Sequence, residues 1–115
     1  GYDFHCPFDV AIPEYGKIRI PLGIRCVGMP KKTVLLIFNR SGLSLVQRLT
    51  IDNSVGVIDS ECGKDIWIQM TNNTNEIVII ESGAKICQGI FLNYLICDDD
   101  KAFGSRKGGM GSTGK

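Results

Sequence analysis

The sequence has no long hydrophobic run and no strong net charge. None of its apolar stretches approaches the roughly 18 residues that a membrane-spanning helix needs. The formal net charge of +1 gives no general attraction to nucleic acid or to a membrane surface. No signal peptide opens the sequence, which begins at Gly1 rather than Met. We therefore expect no membrane partner and no nucleic-acid partner.

Paired cysteine motifs are also absent. The chain has five cysteines and one histidine, with no CxxC pair. An odd number of cysteines and a single histidine argue against a complete disulfide framework and against a zinc site. Free thiols in a reducing compartment are the better interpretation, with Cys26, Cys87 and Cys97 as small core residues. We therefore expect a cytoplasmic protein.

Short apolar segments separated by turn residues make up most of the 115-residue chain, which is the length of one domain. Strand-length segments at about ten-residue spacing are typical of an all-β sandwich or barrel. The segments are 10–12, 17–20, 24–27, 33–38, 55–58, 66–70, 77–80 and 86–95. The run 33–38 is apolar throughout and predicts a strand buried on both faces. Only 43–49 is compatible with a short helix, and its apolar positions fit the helical period incompletely.

Three polar positions adjoin these segments, and each has two interpretations from the residues alone. Asp59 follows the run 55–58, either as a turn-forming acid or as a carboxylate held toward a ligand. The segment 40–42 (Arg-Ser-Gly) is either a surface turn or a group suited to a phosphate oxygen. Gln88 interrupts an apolar segment, where it either faces solvent or binds a ligand.

The last fifteen residues differ in composition from the rest. Glycine, serine and basic residues dominate from Gly104 to the end. This composition suits a flexible linker. It also suits an arm whose free N–H groups, hydroxyls and basic side chains wrap around an anion. Arg106, Lys107 and Met110 have no purpose in a bare linker.

Five short motifs stand in the order found in trimeric dUTPases. They are Gly1–Phe4 (GYDF), Arg40–Ser44 (RSGLS), Gly56–Ser60 (GVIDS), Gly83–Gln88 (GAKICQ) and Gly108–Gly114 (GGMGSTG). Each motif alone is weak evidence, but five in order across one short domain are specific. The chain therefore resembles the trimeric dUTPase family from its first residue to its last, and its short frame favours a viral or phage member.

The resemblance implies a distorted jelly-roll, or β-sandwich, domain over residues 1–97, with a first strand missing before Gly1. Residues 98–115 would form a glycine-rich arm that closes over the active site of a neighbouring subunit in a homotrimer with shared sites. The implied reaction is hydrolysis of dUTP to dUMP and pyrophosphate, by water attack at the α-phosphorus with Mg²⁺ on the triphosphate. The alternative is a nucleotide-binding, regulatory protein of the same fold with weak or no catalysis. A dCTP deaminase of the same superfamily would need a further acid, for which the sequence has no convincing candidate.

The resemblance also implies roles for individual residues. Asp59 would be the catalytic residue that orients the attacking water. Asp3 would hold the hydration shell of Mg²⁺ through water, and Asn53 would read the edge of uracil. The other implied substrate contacts are Arg40, Ser41, Gly42, Gly56, Cys62, Gln88, Arg106, Lys107, Gly109, Met110, Gly111, Ser112 and Thr113.

Two positions depart from the family pattern. Cys62 stands where the family commonly has Tyr, whose ring packs under the deoxyribose and leaves no room for a 2′-hydroxyl. Met110 stands where the arm commonly has a Phe that stacks on uracil, and a thioether covers an aromatic face with less area. We therefore expect weaker discrimination against ribose and weaker closure of the arm.

Overall fold

The computed structural model describes residues 1–98, whose regular secondary structure is almost entirely β-strand. Within these residues the strands are β1 Tyr2–His5, β2 Val10–Ile12, β3 Lys17–Pro21, β4 Thr33–Asn39, β5 Leu49–Ile51, β6 Gly56–Asp59, β7 Trp67–Asn72, β8 Val78–Ile80 and β9 Lys85–Asn93. One short helical turn of π type, Gly42–Val46, joins β4 to β5. No helix in this part of the chain is long and apolar enough to cross a membrane. The prediction of an all-β fold is confirmed.

The strands pair in three antiparallel groups. A four-stranded sheet has the order β1-β9-β4-β6, a three-stranded sheet has the order β3-β7-β5, and β2 and β8 form a ribbon. Most neighbours in these sheets are distant in sequence, as in a jelly roll. The chain therefore crosses repeatedly between sheets.

One hydrophobic core joins the three groups of strands. In β4 the buried side chains are Leu35 and Ile37, and in β7 they include Ile68 and Met70. These positions alternate with half-buried ones, which is the period of a strand with one face on the core. Burying each such side chain contributes about 1.5–3 kcal/mol to folding.

Two predicted elements differ from the structure. Residues 24–27 form no strand, because Gly23 and Gly28 both adopt positive φ (73° and 67°) and bend the chain at each end of the segment. The expected helix over 43–49 ends at Val46, and β5 begins at Leu49. The chain passes from helical turn to strand at Arg48, whose φ of 59° is incompatible with continuing the helix.

Two expectations about burial also need correction. The strand β4 is fully buried on one face, whereas Leu36 and its neighbours on the other face are half-buried in the single chain. Cys97 is exposed rather than in the core, and Cys26 is half-buried. Cys87 and Cys6 are the cysteines in the core, and all five cysteines are free.

Candidate active site

Asp3, Arg40 and Lys85 lie together at one end of the four-stranded sheet and are called the charged cluster below. Arg40 Nε lies 3.1 Å from Asp3 Oδ1, and Lys85 Nζ lies 3.5 Å from Asp3 Oδ2. All three side chains are at least one-third exposed, and such ion pairs contribute at most about 1 kcal/mol to stability. Two cations around one carboxylate leave an excess positive charge that suits a phosphate group.

Strand pairing creates this cluster from distant parts of the chain. In the registers of β9 with β1 and β4, Gln88 is opposite both Asp3 and Phe38. Arg40 follows β4 directly, and Lys85 begins β9. Sequence reasoning did not single out Lys85, although it lies inside the GAKICQ motif three residues before Gln88. The basic residue within this phosphate-associated motif was the sequence signal that could have identified Lys85.

Gln88 is half-buried, and its side chain is held within the sheet. Its Nε2 donates a hydrogen bond to the backbone oxygen of Asn39 at 3.0 Å. Asn39 Oδ1 in turn accepts a hydrogen bond from the backbone N–H of Ile51 at 2.8 Å. Asn39 therefore links Gln88 and β4 to Ile51, the last residue of β5. The sequence offered no signal for Asn39 other than its position before Arg40.

Ser41 and Gly42 connect the charged cluster to the helical turn. The Arg40 oxygen accepts a hydrogen bond from the Ser44 N–H at 3.0 Å, so the backbone folds back directly after Arg40. The Ser41 hydroxyl does not cap the helical turn. A Cβ at Gly42 would meet nothing within 4 Å in this chain. Both residues therefore lie on an open surface beside Arg40.

Asp59 lies at the end of β6, as predicted, and is half-buried. Cys62 N–H donates to the Asp59 oxygen at 3.1 Å and closes a turn directly after the strand. The Cys62 side chain is half-buried and packs against the core. A Cβ at Gly56 would lie 3.2 Å from Ile37 Cβ, so glycine allows β6 to approach β4 closely.

Asn53 is exposed in the turn of residues 52–55, called the β5–β6 turn below. Ser54 has a φ of 65°, and its N–H donates to the Ile51 oxygen at 3.1 Å. Val55 N–H donates to the Asn53 oxygen at 2.7 Å. The turn runs from the three-stranded sheet, where β5 lies, to the four-stranded sheet, where β6 lies.

The single chain does not bring Asp59 to the charged cluster. Asp59 is opposite Val34, whereas Gln88 is opposite Phe38, and both side chains point to the same face of the sheet. Strand spacing and rise place the Asp59 and Gln88 Cα atoms roughly 15 Å apart. One chain therefore carries two separate parts of the expected site.

The remaining predicted site residues lie outside the described residues 1–98. They are Arg106, Lys107, Gly109, Met110, Gly111, Ser112 and Thr113. The assignment of 98–115 as an arm that closes over a neighbouring subunit stays a prediction.

The donor groups near Asp3 fit a Mg²⁺ ion held through water. Residues 1–98 contain no group of three or more His, Cys, Asp and Glu side chains that could hold a metal directly. One exposed carboxylate between two cations suits the outer hydration shell of an ion that phosphate oxygens carry. Cys87, which lies nearby, is not a ligand candidate, because burial and then the Asp3 charge raise its pKa to about 12.

A jelly-roll domain with a positively charged cluster and a strand-end carboxylate on one sheet defines a β protein suited to a phosphorylated ligand. A family model for dUTPase matches residues 1–114. The deoxyuridine 5′-triphosphate nucleotidohydrolase of Lactococcus lactis is 36% identical over 123 residues, covering 99% of this chain and 81% of that protein. The chain belongs to the dUTPase family.

Solved structures agree with this assignment. The crystal structure of a dUTPase from Streptococcus mutans is 32% identical, with a TM-score of 0.79, over 85% of this chain and 80% of that chain. A mutant dUTPase from phage phi11 of S. aureus, described as coordinating a structural Mg(II) ion, is 20% identical. It has a TM-score of 0.77 over 89% of this chain and 82% of that chain, and at this identity it supports the fold alone.

Proposed function

We propose that this chain is a dUTP diphosphatase that hydrolyses dUTP to dUMP and pyrophosphate by water attack at the α-phosphorus. This activity limits the incorporation of uracil into DNA. The observation that carries the proposal is the charged cluster beside Gln88, on the sheet that also ends in Asp59. Cations for the phosphates and a carboxylate for the water are what this hydrolysis requires.

Each part of the site has a separate task in this proposal. Asp59 accepts a proton from the attacking water and orients it, and its position at a strand end holds the carboxylate in place. Arg40 and Ser41 donate hydrogen bonds to phosphate oxygens, and Lys85 adds positive charge. When bound, Mg²⁺ on the triphosphate neutralises charge that develops on the phosphate oxygens. Asp3 orients Arg40 and Lys85 and would also hold the water shell of that ion.

The finer assignments of the substrate contacts rest on the resemblance. Asn53 reads the edge of uracil, and Gly56 allows close approach of the backbone. In the arm, Met110 covers the base, and Arg106 or Lys107 supplies charge. The γ-phosphate is held by Ser112 and Thr113 with the amides of Gly109 and Gly111.

The working form is proposed to be a homotrimer with shared active sites. Two observations support self-association. Asp59 and the charged cluster lie at separate places on the sheet of one chain, and a site shared between copies would bring the carboxylate of one chain to the cluster of another. The face between them is apolar and partly exposed, and contiguous apolar surface of this kind marks interfaces. Its residues, called the apolar face, are Val34, Leu36, Val57, Ile90 and Leu92.

A cytoplasmic location is part of the proposal. All five cysteines are free, including the half-buried pair Cys26 and Cys62. Thiols persist in this state in a reducing compartment.

The direct test measures pyrophosphate release with Mg²⁺ from dUTP, UTP, dCTP and dTTP at equal concentrations. We expect dUTP to be the preferred substrate, because the Asn53 amide and nearby backbone groups match the uracil edge. Removal of Mg²⁺ with a chelator should reduce the rate strongly. Binding of dUTP without pyrophosphate release would instead support the alternative, a nucleotide-binding and regulatory protein, which the Cys62 and Met110 departures favour.

Discrimination against ribose should improve in Cys62→Tyr. Cys62 is too small to close the space beside a 2′-hydroxyl, whereas a Tyr ring at this turn would occupy it. We expect the ratio of kcat/KM for dUTP to that for UTP to rise about tenfold, which corresponds to about 1.4 kcal/mol. Cys26→Ser is the matched control at a second half-buried cysteine. An unchanged ratio in a folded Cys62→Tyr protein would refute the role of this position.

Self-association should depend on the apolar face. Light scattering should give three times the mass of the single chain, and Ile90→Lys should reduce both the mass and the activity by placing a charge in the interface. Ile79→Lys is the control, because Ile79 is also exposed but lies on the β2–β8 ribbon. A monomer with full activity at micromolar concentration would contradict the shared site.

A further inference from the structure

Asp52, the residue before Asn53, is bonded to two strands of the three-stranded sheet. Its Oδ1 accepts a hydrogen bond from the Thr71 hydroxyl, and its Oδ2 accepts one from Gln69 Nε2 at 2.6 Å. Lys17 Nζ lies 3.3 Å from Oδ2 and also donates to Thr71 Oγ1 at 3.2 Å. The Asp52 N–H donates to the Gln69 oxygen at 2.9 Å. Both carboxylate oxygens and the backbone of Asp52 are therefore tied to β3 and β7.

The register of the strands accounts for this arrangement. Thr71 in β7 is opposite both Lys17 in β3 and Thr50 in β5. Asp52 follows β5 by one residue, so its side chain reaches back over β7. Two of the three partners, Thr71 and Gln69, thus come from the central strand of the three-stranded sheet, which is a firmer support than the turn itself.

The β5–β6 turn needs such a support. Its own backbone hydrogen bonds join residues two or three apart, and Ser54 adopts a positive φ without being glycine. The turn also bridges two sheets, so neither sheet continues through it. A side chain that is bonded at both oxygens restricts where the next residue, Asn53, can point.

The Asp52 carboxylate remains ionised at neutral pH. Burial raises its pKa, but the hydrogen bonds from its three partners and the charge of Lys17 outweigh this effect and hold the pKa below its usual range. Only 21% of its side chain is exposed, compared with 62% for Lys17. The charged form, which accepts hydrogen bonds at both oxygens, is therefore the one present.

We propose that Asp52 is a positioning residue for base recognition, which acts by holding Asn53 against the edge of the pyrimidine. This inference rests on the proposed function. It adds that Asp52 supports the base specificity of the site by orienting Asn53, the residue that contacts the base. Uracil presents an N3–H donor beside an O4 acceptor, and cytosine presents an N3 acceptor beside an N4 donor. A side-chain amide distinguishes these two patterns only when its orientation is fixed.

The experiment compares Asp52→Ala, Thr71→Val and Thr71→Ser with the wild-type protein. We expect Asp52→Ala to raise KM for dUTP roughly tenfold with little change in kcat, and to lower the preference for dUTP over dCTP by a similar factor. Thr71→Val should show the same changes to a smaller degree. Thr71→Ser, which keeps the hydroxyl, should retain the wild-type KM and the wild-type preference for dUTP. Asp65→Ala is the control, since Asp65 is an exposed acid paired with Arg25.

Thermal unfolding of each variant separates positioning from structural support. A purely structural role for Asp52 would lower the melting temperature and leave KM and the dUTP/dCTP preference within twofold of wild type, which would overturn the proposal. Calorimetric titration with dUMP and dCMP tests the same preference without turnover. If the wild-type protein releases no pyrophosphate from dUTP, the proposed function fails. The loss of dUMP-over-dCMP preference in Asp52→Ala then still decides the role of Asp52.

Discussion

Asp59→Asn should lower kcat for dUTP by about 10³-fold, within the range that a positioned general base contributes. The amide is nearly the same size as the carboxylate but cannot take a proton from the attacking water. Asp59 lies at the end of β6 and before a closed turn, so the substitution should leave the strand in place. KM should change little, because the phosphate contacts lie in the charged cluster. Pyrophosphate release in single-turnover conditions measures the chemical step directly.

The matched control for this substitution is Asp65→Asn, the same change at an exposed acid that is ion-paired with Arg25. It should retain full activity. Equal and slow release of pyrophosphate by wild type and Asp59→Asn would remove Asp59 from the mechanism, and nucleotide binding without catalysis would become the better account. A large loss in both variants would point to a general effect of charge rather than to a base at Asp59.

Asn72→Ala should cost about 3–5 kcal/mol in the free energy of unfolding, a large part of the stability of a small domain. Asn72 is fully buried. Its Nδ2 lies within hydrogen-bond distance of the oxygens of Ile12 (3.0 Å), Pro13 (3.1 Å) and Glu76 (2.7 Å). Its Oδ1 accepts hydrogen bonds from the Thr74 N–H and hydroxyl at 3.0 and 2.7 Å. Alanine would remove all of these contacts, including the Oδ1 acceptor of the Thr74 N–H, and open a cavity. The Pro13 oxygen would keep the Gly16 N–H, and the Glu76 oxygen would keep the Thr74 hydroxyl.

Chemical denaturation at one fixed protein concentration measures this loss, because an oligomer gains stability with concentration. Asn75→Ala is the control, since Asn75 is exposed in the loop that follows Asn72, and it should change stability by less than about 0.5 kcal/mol. A loss below about 1 kcal/mol in Asn72→Ala would show that water replaces the lost hydrogen bonds. The active-site residues are not among the bonded partners, so the activity of the folded variant should persist.

The sequence alone predicted the elements that depend on neighbouring residues. An alternating run indicated β7, because a strand with one face on a core has a period of two, and continuous apolar runs of strand length indicated β4 and β6. Asp59 at the end of a strand followed from the turn residues after it. The resemblance in five motifs predicted the family, which the comparisons confirm.

The local sequence pattern did not predict the structure of segments in which two conformational preferences competed. The segment 43–49 combines helix-compatible residues with the start of β5, and pairing of Leu49 with Asn72 decided its end. The segment 24–27 is apolar apart from Arg25, but bends at Gly23 and Gly28 leave it without a continuous strand partner. β1 was not predicted as a strand, because its residues pair with β9 residues that are eighty or more positions away.

The tertiary structure alone decided how the site is assembled. Asp3, Arg40 and Lys85 meet because β9 lies between β1 and β4, and no local signal reports strand order. The same order places Asp59 two strands from Gln88, which leaves the site divided in one chain. Asp52 is an acid beside a turn in the sequence, and only the packing of β5 on β7 gives it Thr71 and Gln69 as partners. The sequence thus determined which groups are available, whereas long-range strand pairing determined which of them meet.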